Sequence, residues 1–88
     1  MGIDFSNSTE DEIKYFYKNI SKKVRYFREN KNITQLDLAL DIGIKSVAFY
    51  SNCENNRYNK HFNLEHLYKI SKSLRIDINE FFEHEERL

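Results

Sequence analysis

Residues 33–57, ITQLDLALDIGIKSVAFYSNCENNR, decide the fold, because they hold two short helical patterns separated by a single glycine. Thr34 is suited to cap the first helix, and Ser46 is suited to cap the second. Between them, Gly43 provides the tight or left-handed turn that ends the first helix. This spacing predicts a helix-turn-helix unit, whose second helix can enter the major groove of duplex DNA.

The second helix of this pair is predicted to have two contrasting faces. Phe49, Tyr50 and Cys53 fall together on one side, which we expect to be buried. A solvated opposite face would usually carry Glu, Lys or Arg, but here the side chains are small or uncharged. Such a face can approach base edges, and an Asn carboxamide can donate to and accept from adenine at once. The outward residues are Val47, Ala48, Ser51 and Asn52.

The N-terminal third predicts one long amphipathic helix. Thr9 and Glu12 form a capping-box pattern, so the helix is expected to start at about residue 9. It runs to about Asn30, or breaks near Asn19 into two pieces. Its apolar residues recur at alternating spacings of four and three, at Ile13, Tyr17, Ile20, Val24 and Phe27.

Two further helices are predicted after the pair. Asn63 can cap a fourth helix, and Asp77 with Glu80 forms a capping-box pattern for a short fifth one. No strand alternation is present, so the prediction is an all-α fold of five helices with short connections. The inward residues of the fourth helix are predicted to be Leu64, Leu67, Ile70, Ser71 and Leu74.

Length and composition indicate one small globular domain: 88 residues, 40% hydrophobic and 32% charged. No apolar run is long enough to cross a membrane, and the N-terminus lacks the features of a secretory signal. A single cysteine cannot form an internal disulfide, which favours a reducing, cytoplasmic setting.

The net charge of zero conceals a segregation of charge along the chain. Residues 1–17 carry one lysine and four acids, a net of −3, whereas residues 18–75 carry twelve basic residues and five acids, a net of +7. Residues 76–88 carry one arginine and five acids, a net of −4. A basic body between acidic ends is compatible with binding a polyanion, although a merely solvated charged surface would give the same composition.

Three segments together resemble the XRE family, the Cro and lambda-repressor type of helix-turn-helix regulators. They are ISKKVRYFRENKNITQLDLALDIGI, AFYSNCENNR and NLEHLYKISKSLRIDINEFF, and they cover residues 20–82. The resemblance implies a lambda-repressor-like helical bundle that binds double-stranded DNA in the bacterial cytoplasm. It divides the chain into an acidic N-terminal extension, residues 1–19, and a helix-turn-helix domain with a C-terminal dimerisation region, residues 20–88.

The same resemblance assigns roles to individual residues. Gln35 matches the glutamine that bonds a backbone phosphate, and Ala39 the small residue where the two helices cross. Glu54 and Asn55 match the end of the recognition-helix motif. Base contacts are expected from Ser46, Val47, Ala48, Ser51 and Asn52. Further phosphate contacts are expected from Lys23, Arg28, Lys45, Arg57 and Lys60.

Two departures from the family pattern lie around the recognition helix. One additional residue stands between Gly43 and Ala48, so the register of this helix could shift by one. Aligning from Glu54 and Asn55 instead places Tyr50 in the core, and we prefer that register. The loop RYNKHF is about two residues longer than usual, which adds residues near the expected DNA backbone.

A homodimer is expected because the C-terminal region has more apolar side chains than a short helix needs to bury in one domain. In similar regulators this region forms a two-fold interface, here made by Ile76, Ile78, Phe81 and Phe82. Controller proteins of restriction-modification systems have this size and architecture.

Other functions are less well supported by the residues. An antitoxin, gripping a toxin through residues 1–19 and regulating its own operon, is the alternative function. Cys53 is interpreted as a core residue, and His61 with His66 has poor spacing for a metal. The sequence contains no nucleophile–base pair, phosphate-binding loop or metal cluster at usable spacing. We therefore predict no enzymatic activity, no cofactor and no bound metal.

Overall fold

The computed structural model describes residues 7–83, and within them it contains only helical elements and their connections. Four α-helices, named α1 to α4 in chain order, cover Asn7–Asn30, Gln35–Asp41, Val47–Asn55 and Leu64–Leu74. Two 3₁₀ segments follow α3 and α4, at Arg57–Asn59 and Ile78–Phe82. The first six residues of the predicted extension and the last five residues of the predicted C-terminal region lie outside the described part.

The all-α prediction is confirmed, but the predicted fifth α-helix is a 3₁₀ segment. Asp77 does cap it, accepting a hydrogen bond from the backbone N–H of Asn79 at 2.9 Å. The Glu80 backbone N–H bonds the Asp77 carbonyl oxygen at 2.9 Å, an i to i+3 contact that closes a tight turn. Residues Ile78–Phe82 therefore form a compact 3₁₀ turn, and its Phe81 is buried in the core.

Local capping chemistry explains where α2 and α3 begin and where α2 ends. Thr34 and Ser46 accept hydrogen bonds from Asp37 N–H at 3.0 Å and Phe49 N–H at 3.1 Å. Gly43 has φ +84°, a conformation that favours glycine, and it forms the turn after α2. The two caps and the glycine turn depend only on neighbouring residues, so they could be predicted from the sequence.

The core lies where α1, α2, α3 and α4 meet. Ala39 is fully buried, as expected at a close helix crossing. Leu64, predicted to point inward, is 73% exposed because it is the first residue of α4, outside the packed part of that helix. The buried apolar residues are Ile20, Val24, Leu38, Ala39, Ile42, Tyr50, Cys53, Phe62, Leu67, Ile70, Leu74 and Phe81.

Helix α1 is unbroken from Asn7 to Asn30, so the predicted alternative of a break near Asn19 is wrong. It starts two residues earlier than the capping pattern suggested. Ile20 and Val24 are buried, but Ile13, on the same stripe, is 50% exposed. The apolar stripe therefore continues into the first half of α1, where the other helices do not cover it.

At the start of α4, Asn63 and His66 form a capping box, with His66 Nδ1 accepting the Asn63 backbone N–H at 3.1 Å. Partial burial lowers the pKa of His66 below its ordinary value of 6.5. The folded state therefore favours the neutral imidazole, which alone can accept this bond.

We expect the free energy of unfolding to fall as pH decreases below about 6.5, because the unfolded state then binds a proton more readily than the folded one. In His66→Gln the side chain can still accept the cap bond but does not titrate, so this part of the pH dependence should disappear. Urea unfolding of both proteins between pH 7.5 and 5 measures it. An identical pH dependence in the two proteins would contradict the role given to His66.

Candidate nucleic-acid interface

The predicted two-faced character of α3 is present in the structure. Tyr50 and Cys53 are fully buried, as the preferred register of this helix predicted. On the opposite side Ser46, Val47 and Ala48 are exposed, and Ser51 and Asn52 are half-buried. The five predicted base-contact residues therefore share one small, uncharged surface that is open to solvent.

Glu54, near the end of α3, holds this helix against α1 and α2. Its side chain is inaccessible to solvent, and it accepts two bonds from the Arg28 guanidinium, at 2.8 and 2.9 Å. It also accepts bonds from the Tyr50 hydroxyl and from Gln35 Nε2, each at 2.8 Å. Arg25 approaches Glu54 Oε1 at 3.4 Å from the more exposed side. A single carboxylate thus receives donors from three helices.

The electrostatics of this buried cluster keep the carboxylate ionised. Burial alone would raise the pKa of Glu54, but the hydrogen bonds from Arg28, Gln35 and Tyr50 outweigh it, so its pKa is lowered. Burial, together with the negative charge of Glu54, raises the pKa of Tyr50 well above its ordinary value. The neutral tyrosine and the ionised glutamate are therefore the partners at neutral pH.

Gln35 lies at the first position of α2, the place predicted for a phosphate contact. One hydrogen of its Nε2 group is used by Glu54, and a carboxamide has a second one to donate. The bond to Glu54 fixes the side chain beside the N-terminus of α2. The residue is therefore held in one orientation rather than left free to rotate.

Arg28, also predicted as a phosphate contact, is instead turned inward. Only 7% of the residue is exposed, and besides Glu54 its guanidinium bonds the Ile33 carbonyl oxygen at 2.8 Å. Its spacing of four from the buried Val24 was the sequence signal for an inward position, but a basic residue on an amphipathic helix usually faces solvent, so it was assigned to DNA. Lys45, Arg57 and Lys60 are exposed and Lys23 is half-buried.

The loop after α3 has an unusual backbone that the sequence did not reveal. Asn56, Tyr58 and Asn59 all have positive φ, at 54°, 55° and 59°. Asparagine tolerates this conformation, but a bulky tyrosine rarely adopts it. Tyr58 is 80% exposed and lies between the cations Arg57 and Lys60. In the sequence, only the additional length of this loop and its asparagines indicated a backbone with positive φ.

The four residues predicted to form a dimer interface differ in how far the single chain buries them. Phe81 is 1% exposed and packs edge-on against Phe27 at 6.2 Å between ring centroids, so it belongs to the core of the single chain. Ile76 and Ile78 are half-buried against the same core. Phe82 is 37% exposed and stacks on Phe16 of α1 at 6.5 Å.

Cys53, His61 and His66 each make contacts within the fold. Cys53 is buried, and burial raises the pKa of its thiol to about 11, which makes it a poor nucleophile. His61 stacks on Tyr17, and His66 caps α4. Among residues 7–83 no group of His, Cys, Asp or Glu is arranged to hold a metal ion. Within the same residues no helix is both long and apolar enough to span a bilayer.

A short α2, a glycine turn and an α3 with an exposed small-residue face define a helix-turn-helix DNA-binding protein. A family model described as Helix-turn-helix matches residues 24–81, more than half of the chain. The chain therefore belongs to the XRE-type helix-turn-helix family, whose members are DNA-binding regulators and are not usually enzymes. No curated protein and no solved structure matches the chain.

Glu54→Gln should destabilise the fold by about 3–5 kcal/mol, because it removes the buried counter-charge of Arg28 and leaves only the exposed Glu29 carboxylate, 3.7 Å away. Urea unfolding at neutral pH measures this change. The matched control is Glu65→Gln, which removes an exposed carboxylate paired with Lys69 at 2.8 Å and should have little effect. Similar stabilities for the two variants would show that the buried cluster does not hold the helices together.

Proposed function

We propose that the protein is a sequence-specific regulator of transcription, which acts in the cytoplasm as a homodimer on a palindromic operator. The observation that supports this most strongly is the exposed, uncharged face of α3, held outward by the bonds of Glu54 on its inner side. A helix so oriented can enter the major groove while its inner face stays packed.

Base reading is assigned to the outward residues of α3. Ala48 and Ser51 are small enough to let the helix backbone approach base edges, and Val47, 40% exposed, can pack against thymine methyl groups. Asn52 offers a carboxamide that matches the donor and acceptor of adenine. The hydroxyl of Ser46 accepts the Phe49 N–H and keeps its own hydrogen to donate.

Phosphate contacts are assigned to residues that flank this face. Gln35 keeps one side-chain N–H for a phosphate oxygen beside the N-terminus of α2. Lys45 precedes α3, whereas Arg57 and Lys60 follow it. Lys23 is the only residue of this set on α1. Contacts on both sides of the recognition helix would fix its register in the groove.

Dimerisation is assigned to the surface around Phe82, with the half-buried Ile76 and Ile78 beside it. One recognition helix makes only a few base contacts, each worth about 1–3 kcal/mol. Two linked half-sites raise affinity and selectivity together. In such a dimer the two α3 helices would lie about 34 Å apart, the length of one DNA turn.

An antitoxin role is the second candidate. The observation that favours it is the exposed apolar pair Ile13 and Phe16, 50% and 44% exposed, which lies outside the residues that match the family. Exposed apolar surface of this kind is typical of protein contacts. A neighbouring gene for a small toxin would support this role, and a neighbouring restriction enzyme would support a controller protein.

Selection of bound duplexes from a random DNA pool tests the proposal directly. We expect the selected sequences to share an inverted repeat whose half-sites are centred about 10 base pairs apart, since the dimer is two-fold symmetric. Enrichment of a single half-site would contradict the homodimer, and no enrichment at all would contradict sequence-specific binding.

Asn52→Ala and Gln35→Ala should weaken binding in different ways. Removal of the Asn52 carboxamide should relax the preference at one base position by about 1–3 kcal/mol, because that group reads a base. Removal of the Gln35 side chain should weaken binding to all sequences alike, because a phosphate contact carries no sequence information. Binding to a panel of single-base operator variants measures both. An unchanged base preference in Asn52→Ala would contradict the assigned face of α3.

A further inference from the structure

A cleft of about 770 Å³ lies between the first half of α1 and the loop that follows α3. One wall is formed by α1 residues that include Ile13, Lys14 and Lys18, and the other by loop residues that include Lys60 and His61. Lys14 and Lys18 precede the family match, which begins at residue 24. The cleft is therefore a feature of this chain in addition to the family's helix-turn-helix unit.

The charged side chains that line the cleft are mainly positive, which favours an anionic ligand. Three lysines line it, Lys14 and Lys18 from one wall and Lys60 from the other, and Glu10 is its only lining acid among residues 7–83. All three lysines are exposed, and no ion pair of theirs is found within the same residues. Opposed ammonium groups across an open cleft are suited to a chain of phosphates that passes between them.

The two walls are joined to each other by contacts at the base of the cleft. The rings of Tyr17 and His61 stack almost parallel, 3.7 Å apart between centroids and 13° between planes. Asn56 bonds Ser21 Oγ of α1 at 3.1 Å and the Lys60 carbonyl oxygen at 3.3 Å. These contacts give the cleft a defined width before any ligand enters.

The cleft is continuous with the surface proposed to bind DNA. Asn55, the last residue of α3, lines it, and its side-chain oxygen accepts a hydrogen bond from Arg25 of α1. The exposed Arg57 and Tyr58 follow two and three residues later in the chain. A DNA strand that leaves the groove at the C-terminal end of α3 would therefore meet the cleft next.

We infer that this cleft binds the sugar–phosphate backbone of DNA flanking each half-site, so that the long α1 extends the footprint beyond the recognition helix. Lys14, Lys18 and Lys60 contact phosphates, and the half-exposed Ile13 offers apolar surface to a deoxyribose. This inference rests on the proposed function. An acidic segment of a protein would suit the same charges, but only DNA accounts for the continuity with α3.

The test is the double variant Lys14→Ala/Lys18→Ala, because alanine keeps α1 helical while removing both charges. The probe is the duplex obtained by the selection experiment, once with 10 base pairs of flank on each side and once trimmed to the two half-sites. Affinity is measured over a range of salt concentrations. The matched control is Lys69→Ala/Lys72→Ala, which removes two exposed charges from α4, away from the cleft.

On the flanked duplex, the slope of log affinity against log salt should decrease by about 0.9 for each phosphate that the variant no longer neutralises, up to about 1.8 per subunit. On the trimmed duplex, wild type and the double variant should have equal slopes, and the control should match wild type on the flanked one. Equal slopes for wild type and double variant on the flanked duplex would overturn the inference. Failure of the selection to yield any duplex would instead overturn the proposed function.

Discussion

The buried carboxylate of Glu54 is the interaction on which the other features of the structure depend. It lies on α3 but takes its donors from α1 and α2 as well, through Arg28 and Gln35. In a domain of 88 residues the apolar core is small, so a fully bonded ionic cluster has a large effect on how the helices are oriented. With the inner side of α3 held in this way, its outer side must face solvent.

The proposed function rests on the absence of long charged side chains from that outer side. A helix that only had to be soluble would carry long charged residues there, whereas Ala48 and Ser51 leave room for base edges. The cations lie instead around this face, at Lys45, Arg57 and Lys60. A protein with zero net charge can therefore present basic residues around the uncharged face that we propose to read bases, since its acidic residues are concentrated towards the two ends of the chain.

Some features that depend on neighbouring residues were predicted from the sequence, whereas the start of α1 and the 3₁₀ form of Ile78–Phe82 were not. The caps at Thr34 and Ser46 and the all-α class come from local hydrogen bonding and periodicity, so they were predicted correctly. Periodicity does not show which part of a helix is covered by others, so Leu64 was wrongly placed inside and Phe81 was assigned to a dimer. The inward turn of Arg28 depends on Glu54, 26 positions away, and no local pattern could reveal that partner.

Backbone amide NMR signals, followed while a selected operator duplex is added, test most directly whether α3 reads DNA. The largest shifts are expected at the first turn of α2, along α3 from Val47 to Asn52, and in the loop containing Tyr58. The exposed face of α4 around Tyr68 and Lys72 should remain unchanged. Shifts concentrated on α4, with α3 unaffected, would contradict the claim that the outward face of α3 binds the bases.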